Sequence, residues 1–397
     1  MQKYMRKTTI LHIESCETPY YLVDEKHLRE NLELIRRISD RSQTEFILAF
    51  KAFALWKTFE IFRDYITHTT ASSVNEAQLS FLEFGTKAHT YSPAYEKKSF
   101  NTILKCSSHI TFNSWSQFET FGSDVQKYNE SHNDQIYCGI RINPEYSNIK
   151  TTLYNPCAPG SRFGVLAKDM PSILPQQITG LHCHNHCESS AEDFVQTIAA
   201  VEEKFGKWLP QIKWINFGGG HLVTREGYDT ELLIRTLCDF HKRHPNVETI
   251  MEPGSAFAWQ TGALVAEVVD IVKNHDVATA IVNVSFTCHM PDCLEMPYNP
   301  YIQGAIHVDE TKNISTPYLY RIGGNSCLSG DFMGLWQFDH PLSVGEKIIF
   351  EDMIHYTTVK TNMFNGIEHP SIFLQRTDGT LQCLRKYTYE DYKNRMC

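Results

Sequence analysis

The stretch Phe46-Ile47-Leu48-Ala49-Phe50-Lys51 is an apolar run that ends in a lysine. Such a run is typical of a buried parallel strand, which has helices on both of its faces. A lysine at the end of a buried strand has an amine that is partly removed from water. Its pKa falls, and the amine can form a covalent bond with a carbonyl carbon. The alternative is a strand-end lysine that reaches solvent, and Lys51 alone does not decide between the two.

Strands of the same kind follow along the chain, separated by amphipathic stretches such as 28–38, 74–84 and 114–128. The candidate strands are 46–51, 68–73, 89–92, 109–113, 136–143, 179–185, 214–218 and 249–252. Eight β/α units over this length predict an α/β protein with a (β/α)8 TIM barrel. An open doubly wound sheet is the alternative, because periodicity does not show whether a sheet closes.

The pattern changes after about residue 262. The runs 264–272, 280–286, 318–322 and 347–350 are strand-like, with turn residues and no long helical period between them. We therefore predict two domains. The barrel is expected over 20–262, and a β-rich, barrel-like or sandwich-like domain over 1–19 plus 263–397. Residues 20–23 are expected to lead into the barrel.

The composition excludes several classes of protein. The chain has 397 residues, of which 42% are hydrophobic and 21% charged, as in an ordinary soluble globular protein. No apolar run approaches the length of a transmembrane helix, and the basic start lacks the apolar core of a signal peptide. The twelve cysteines are scattered, which fits reduced thiols in a cytosol. We expect a cytoplasmic protein, and the net charge of −9 gives no reason to expect nucleic acid as a partner.

Polar and charged residues recur where the predicted barrel strands end. In barrels, function gathers at the C-terminal ends of the strands. Any one such residue could be structural, but their shared position favours a site. These residues are Lys51, Ser72, Ser73, Arg141, His182, His184, Gly218, Gly219, Gly220 and Glu252.

The glycines and the glutamate suggest a particular cofactor. A glycine run lets backbone N–H groups approach an anion, and the loop after the seventh barrel strand often holds phosphate. A carboxylate next to a pyridine nitrogen, as Glu252 would be, keeps that ring protonated and makes it a strong electron sink. The alternatives are a tight turn and a solvated glutamate. Together with Lys51, these features predict a pyridoxal phosphate enzyme.

The segment His182-Cys183-His184-Asn185-His186-Cys187 suggests a zinc site as an alternative, because histidines at alternate strand positions share one face. No matching set of ligands appears on the other strands, so we predict that the site holds no metal. One of the histidines is expected to stack on the cofactor ring instead.

Cys327 lies in a second notable segment, Gly323-Gly324-Asn325-Ser326-Cys327-Leu328-Ser329-Gly330-Asp331. A buried cysteine is usually a small hydrophobic residue. A cysteine on a loop of glycine, serine and asparagine is less easily explained in that way, and it could donate a proton.

These motifs together resemble the alanine racemase-fold decarboxylases, which use pyridoxal phosphate. The resemblance runs from Thr18 to Gly366 and is most specific in Thr70-Ala71-Ser72-Ser73 with Glu76, in 288–298 and in 324–331. It implies an alanine racemase-type fold, a homodimer with shared active sites, and pyridoxal 5'-phosphate as the cofactor. It also implies a carboxylated polyamine substrate, carboxynorspermidine or carboxyspermidine. These two differ by about one methylene, and the sequence does not separate them.

The resemblance also implies roles for individual residues. Lys51 would bind the cofactor covalently, Glu252 would pair with its ring nitrogen, and Arg141 would lie near its phenolic oxygen. His184 would stack on the ring, although the sequence leaves His182 open for that role. Three glycines and a tyrosine would hold phosphate: Gly218, Gly219, Gly220 and Tyr356.

A second group of residues would act on the substrate. Cys327, as proton donor, and Asp331 would come from the second subunit of the dimer. Asp292 and Glu295 would lie near the distal amines of the substrate.

The chain departs from the family pattern at two places. Ser255 replaces the phosphate-binding arginine of Glu-Pro-Gly-Arg, and the segment 184–187 lacks the glycine and serine of His-Ile-Gly-Ser. The alternatives are therefore a decarboxylase of diaminopimelate or another basic amino acid and, more distantly, a metal-dependent hydrolase or a decarboxylase-like regulator without activity.

Overall fold

The structure, a computed structural model, describes residues 5–11, 16–151, 154–296, 298–309 and 316–397. Pro297, within one of the segments that carry the family resemblance, and parts of the predicted domain segments 1–19 and 263–397 lie outside these residues. The chain divides into two compact units. One unit is 31–257, and the other combines 1–30 with 258–397. The barrel predicted from the sequence, 20–262, is longer at both ends than the unit 31–257.

The strands and helices follow in chain order. The strands are β1 Tyr20–Asp24, β2 Thr44–Phe46, β3 Leu48–Ala49, β4 Thr69–Ala71, β5 Ala88–Tyr91, β6 Ser107–Phe112, β7 Tyr137–Arg141, β8 Ile178–His182, β9 Trp214–Asn216, β10 Glu248–Met251, β11 Gly262–Asn274, β12 Val277–Val282, β13 Ala305–Val308, β14 Leu319–Gly323, β15 Phe332–Phe338, β16 Lys347–Glu351, β17 Ser371–Gln375 and β18 Leu381–Arg385. The helices are α1 Glu25–Ser42, α2 Phe59–Arg63, α3 Val74–Leu79, α4 Lys97–Cys106, α5 Trp115–Ser131, α6 Ala191–Phe205, α7 Thr230–Arg243, α8 Ser255–Ala258, α9 Phe286–His289, α10 Pro291–Glu295 and α11 Tyr389–Met396.

The unit 31–257 is the predicted (β/α)8 barrel. Its sheet is parallel, with strand order β2-β10-β9-β8-β7-β6-β5-β4-β3. The two ends of this order, β2 and β3, are separated by Ile47 alone. The Ile47 N–H donates to the Met251 carbonyl at 2.9 Å, whereas the Leu48 N–H donates to the His68 carbonyl at 3.4 Å. The first strand therefore changes neighbours at Ile47, and this change closes the sheet.

A tryptophan fills part of the barrel interior. Trp214 on β9 packs with Ile47 and Ile250 in one buried cluster. Two neighbouring strands carry glycine beside it. A Cβ atom at Gly180 would lie 2.0 Å from the Trp214 ring, and one at Gly139 would lie 2.4 Å from it. The indole fits because these two positions have no side chain, as close packing of a barrel interior requires.

The helices outside the sheet have one apolar face each, as α6 shows. Ser190 and Asp193 form a reciprocal capping box at its start. Phe194, Ile198, Val201 and Phe205 follow at helical spacing and are buried. Burial of each side chain contributes about 1.5–3 kcal/mol as an upper estimate. These contacts hold α6 in place and with it the loop after β8.

The second unit contains a mixed sheet in the order β13-β15-β14-β12-β11-β1-β17-β18, with β16 also paired to β11. The long strand β11 is central, because it pairs with β1, β12 and β16. The β-rich domain is therefore confirmed. Residues 20–23 pair within this sheet, where β1 lies between β11 and β17, and α1 follows β1 and continues into the barrel unit.

One predicted strand of this unit ends early. β12 stops at Val282, and Phe286 begins α9. The Ser285 side chain accepts a hydrogen bond from the Cys288 N–H, and this N-cap turns the chain out of the sheet. Among the described residues, no helix has the length and apolar character needed to cross a membrane.

Candidate active site

The C-terminal ends of the barrel strands carry most of the predicted site residues. Lys51 lies two residues after β3, Arg141 ends β7 and Glu252 directly follows β10. His182 ends β8, and the three glycines at 218–220 begin two residues after β9. The barrel thus brings these side chains to one end of the sheet, as the sequence predicted.

Lys51 is both accessible and desolvated. Its side chain has exposed surface, because the end of the barrel is open. The surrounding barrel wall nevertheless removes much of the water around the amine, and this desolvation lowers the pKa of Lys51. Glu252 opposes the shift, and Arg141 adds to it. A larger fraction of the amine is therefore neutral and nucleophilic near pH 7 than in a free lysine.

Glu252 is held as a carboxylate. Its Oε1 accepts a hydrogen bond from the Asn216 side-chain amide at 2.7 Å, and its Oε2 lies 3.5 Å from His182 Nε2. Burial raises the pKa of Glu252, but the combined effect of His182, Lys51 and Asn216 outweighs it and lowers the pKa. A buried carboxylate that stays ionised is suited to a positively charged partner, such as a protonated ring nitrogen.

His182 and His184 have different surroundings. His182 is 2% exposed, and its ring lies 5.2 Å from the Tyr91 ring. His184 is half-buried, and its Nδ1 accepts a hydrogen bond from the Gly219 N–H at 2.8 Å. Burial lowers the pKa of both histidines, that of His184 furthest. Burial therefore disfavours the charged form of both imidazoles, and the one on His184 retains open surface.

Arg141 is fixed from three sides. Its guanidinium carbon lies 4.7 Å from the centre of the Tyr91 ring and 4.4 Å from that of Phe163. One of its nitrogens donates to the His184 carbonyl at 2.9 Å. Cation–π contacts on both sides hold the planar group in a single orientation. The site therefore has a rigid positive charge beside the His184 backbone.

The three glycines lie where no side chain would fit. Gly218 has a φ of +70°, and a Cβ atom there would lie 2.5 Å from His184 Nδ1. At Gly219 a Cβ atom would lie 2.1 Å from the Glu252 carbonyl oxygen. The close approach of this loop to strands β8 and β10 explains why glycine is needed. Side chains already accept from the Gly218 and Gly219 N–H groups, so Gly220 is the glycine of this loop whose N–H would suit an anion.

Three further barrel residues belong to this arrangement and were missing from the predicted site. Asn216 joins Glu252 to the glycine loop, because its Oδ1 also accepts from the Gly218 N–H at 2.8 Å. Tyr91 packs on Arg141, and Glu76 is among the charges that act on Lys51. Position at a strand end could have identified two of them from the sequence, since Tyr91 ends β5 and Asn216 ends β9. Glu76 was noted only as part of a motif.

The second unit carries the other predicted residues. Asp292 is 6% exposed, and its Oδ2 accepts hydrogen bonds from the Tyr298 hydroxyl at 2.9 Å and the Thr357 hydroxyl at 3.0 Å. Its Oδ1 has no hydrogen-bond partner among the described residues. Glu295 is exposed and forms an ion pair with Lys360. The two predicted acidic residues therefore differ, because only Asp292 has an uncompensated oxygen.

The loop 324–331 is organised by Asp331. Its Oδ1 accepts from the Phe286 and Thr287 N–H groups, and its Oδ2 accepts from the N–H and hydroxyl of Ser326. Both oxygens are thus used within the loop and at the start of α9. Cys327 is exposed on this loop, and its N–H donates to the Asn365 side chain at 2.8 Å. Tyr356, the predicted phosphate ligand, is half-buried in the same unit.

Comparison with known proteins identifies a family. Residues 20–354 match the family model described as pyridoxal-dependent decarboxylase, C-terminal sheet domain. A carboxyaminopropylagmatine decarboxylase of Synechocystis is 46% identical, over 97% of this chain and 96% of its own. A carboxynorspermidine/carboxyspermidine decarboxylase of Campylobacter jejuni is 40% identical, over 96% of this chain and 99% of its own.

Solved structures agree with these relatives. The crystal structure of carboxynorspermidine decarboxylase from Campylobacter jejuni, complexed with norspermidine, superposes with a TM-score of 0.87 at 38% identity. The superposition covers 96% of this chain and 100% of the Campylobacter chain. The diaminopimelate decarboxylase of Helicobacter pylori has a TM-score of 0.78 at 16% identity, which shows a shared fold. Family, relatives and fold agree with the site geometry, and this chain belongs to the pyridoxal-dependent decarboxylases, carboxy-lyases of the alanine racemase fold that use pyridoxal phosphate.

Proposed function

We propose that this enzyme removes CO2 from a carboxylated linear polyamine in polyamine biosynthesis. Carboxynorspermidine and carboxyspermidine are the substrates that the sequence predicted, and they give norspermidine and spermidine. The observation that carries the proposal is the pairing of a desolvated Lys51 with an ionised Glu252 at the open end of the barrel. Full-length relatives that act on carboxylated polyamines support it.

The residues present fit pyridoxal phosphate. Lys51 supplies the amine for the covalent link, and Glu252 supplies the carboxylate for the ring nitrogen. His184 supplies the face on which the ring stacks, since His182 is enclosed by Tyr91 and Glu252. Arg141 would lie near the phenolic oxygen. Gly218, Gly219 and Gly220 would line the phosphate site, with the Gly220 N–H as donor because those of Gly218 and Gly219 bond Asn216 and His184. Tyr356 is proposed to add its hydroxyl, without an arginine at position 255.

When bound, the cofactor supplies an electron sink for the electron pair that remains after CO2 leaves. The protein residues control where protons lie. Glu252, as a carboxylate, keeps a proton on the ring nitrogen, and Asn216 keeps Glu252 in position. Lys51 would hold the cofactor through its side-chain amine and would be the group that the α-amine of the substrate replaces. The barrel wall around Lys51 reduces the water around the amine, and such desolvation would favour loss of the substrate carboxylate charge as CO2.

We also propose that the enzyme is a cytoplasmic homodimer with shared active sites. In this arrangement the partner subunit's Cys327 protonates the carbon that has lost CO2. The exposure of Cys327 on its loop supports this role. Asp331 is proposed to contribute from the same loop, and its four hydrogen bonds indicate that it does so mainly by fixing the loop that carries Cys327.

The acidic residues of the second unit are proposed to bind the cationic part of the substrate. Asp292 is the stronger candidate, because its Oδ1 is buried without a partner among the described residues. A protonated amine would satisfy that oxygen. Glu295 is balanced by Lys360 and would have to exchange this partner for a substrate amine.

The relative from Synechocystis broadens the range of substrates to be tested. Carboxyaminopropylagmatine resembles the carboxylated polyamines in its amino acid end and differs in a terminal guanidinium. Purified enzyme loaded with cofactor should be incubated separately with carboxynorspermidine, carboxyspermidine, carboxyaminopropylagmatine, diaminopimelate, ornithine and arginine. CO2 release is then measured. We expect release from one or more of the first three. Release from diaminopimelate, ornithine or arginine alone would overturn the substrate class and leave the cofactor assignment intact.

A further inference from the structure

A cluster of possible metal ligands lies at the N-terminal ends of the barrel strands. Glu45 is the middle residue of β2, His68 directly precedes β4, and His89 is the second residue of β5. One ligand atom from each lies within 4.8 Å of the other two. Lys51 and Glu252 follow the opposite ends of their strands, so the cluster is separate from the candidate active site.

His89 lies next to the ion pair between Glu45 and His68 but is not part of it. It is 5% exposed, and one of its ring nitrogens lies within 4.8 Å of ligand atoms of both Glu45 and His68. Its ring packs against that of His109, tilted by 35° with centroids 3.8 Å apart, and lies 5.5 Å from that of His68. Burial, followed by the neighbouring His109 and His68, lowers the pKa of His89 well below its ordinary value. His89 therefore adds a buried imidazole beside the pair formed by Glu45 and His68, and imidazole nitrogen is a common metal ligand.

Glu45 supplies the charge that a cation needs. Its Oε1 lies 2.5 Å from His68 Nδ1, and both side chains are partly exposed, at 36% and 40%. Two imidazoles and one carboxylate are a common zinc ligand set, with solvent in the fourth position. Tetrahedral zinc with bonds of about 2.0–2.2 Å places its ligands roughly 3.3–3.6 Å apart. The three side chains would reach this separation by small rotations.

We propose that Glu45, His68 and His89 bind a divalent transition-metal ion, zinc by preference. The ion links β2, β4 and β5 across the place where the barrel closes, since β2 and β3 form the two ends of the sheet. In barrels this end of the strands serves stability. The metal therefore stabilises the fold, and decarboxylation proceeds at the other end without it. Glu45, His68 and His89 lie at or near strand starts far apart in the sequence, so no local motif such as that at 182–187 marks them.

The test uses the full-length enzyme with pyridoxal phosphate, stripped of metal by a chelator. Co2+ is added while its visible ligand-field absorption is recorded, and Zn2+ binding is measured by calorimetry. We expect one ion per chain and a higher Tm with Zn2+. His68→Gln and Glu45→Gln should each weaken binding at least about tenfold and abolish the rise in Tm. Both positions are partly exposed, so these variants are expected to fold.

His340→Gln is the matched control. His340 is also an exposed histidine between two carboxylates, with Asp339 and Glu346 each 2.6 Å away. Replacement of His340 should leave the binding constant for Zn2+ unchanged. The proposal is overturned if the native enzyme binds no stoichiometric Zn2+, or if His68→Gln and Glu45→Gln bind it as tightly as the native enzyme. The second result would show that His68 and Glu45 form only a hydrogen-bonded pair.

Discussion

At the scale of single residues, Glu252 is central to the proposed chemistry. Burial works against its charge, and three neighbours restore that charge. Glu252→Gln keeps the shape but removes the carboxylate, so the cofactor nitrogen loses its proton. We expect kcat to fall by roughly 10²-fold or more, with a smaller change in KM. Steady-state CO2 release measures both constants. Glu248→Gln, at the exposed start of the same strand, is the control and should act like the native enzyme.

Asn216 is a positioning residue, and its role leads to a prediction about pH. Its amide hydrogen bond helps to keep the pKa of Glu252 below the ordinary value. Asn216→Ala removes this donor, so the pKa of Glu252 should rise by about one unit, as loss of a charged hydrogen bond worth about 1.5 kcal/mol implies. Protonated Glu252 is inactive in this mechanism. The acidic limb of kcat should therefore move to higher pH.

The visible spectrum of the bound cofactor gives a second measurement for Asn216→Ala, because its acid transition should move in the same direction. A variant with lower kcat but an unshifted acidic limb would show that Asn216 only supports the glycine loop. Gln117→Ala is a suitable control, since its amide also bonds backbone in the barrel unit but away from Glu252.

The sequence predicted Lys51, Glu252 and the glycines because each follows an apolar run, and strand ends can be recognised locally. Asn216 was missed for a physical reason. Its importance depends on the pairing of β9 with β10, which brings it beside Glu252, a residue 36 positions away. The hydrogen bonds of Asp331 likewise depend on the start of α9, 44 and 45 positions earlier. Such partners are set by tertiary structure, and no local pattern contains them.

At the scale of secondary-structure elements, strand packing around Trp214 makes a prediction about stability. Gly180→Ala would place a Cβ atom 2.0 Å from the indole, inside a buried barrel. Either strand β8 or the Trp214 ring must shift, and we expect the free energy of unfolding to fall by about 1–3 kcal/mol. Gly206→Ala is the matched control. Gly206 has an α-helical φ of −55° and no atom within 4 Å of the added Cβ.

Urea unfolding measures both glycine variants. Gly206→Ala should be neutral or stabilising by several tenths of a kcal/mol, because alanine restricts the unfolded chain. Equal stability of Gly180→Ala and the native enzyme would mean that the indole has room to move, contrary to the close packing seen here.

Two strand-forming stretches show that a local sequence pattern does not predict which strands will be neighbours. The run 46–51 is a single apolar stretch, yet the structure divides it at Ile47 because the two halves have different neighbours. The apolar residues 20–23 suit a barrel strand and a sheet strand equally well. Their place between β11 and β17 depends on chain segments more than 200 residues away. Local sequence identified both stretches as strands but carried no information on their neighbours.

At the scale of the whole molecule, the proposed shared site predicts complementation between two inactive variants. Lys51→Ala removes the cofactor link on the barrel, and Cys327→Ala removes the proton donor on the loop of the second unit. If each site combines the barrel of one subunit with the Cys327 loop of the other, a mixed dimer contains one intact site. Random exchange makes about half of all dimers mixed, so activity should recover to roughly a quarter of the native value.

The mixing experiment has an internal control. Lys51→Ala mixed with Glu252→Gln should give no recovery, because both changes lie on the barrel and every site in that mixed dimer is damaged. Different affinity tags on the two variants show that mixed dimers have formed. If tagged mixed dimers of Lys51→Ala and Cys327→Ala form and remain inactive, Cys327 does not act across the subunit boundary. Recovery would establish the dimer and the origin of the proton donor together, because monomers with complete sites of their own cannot complement each other.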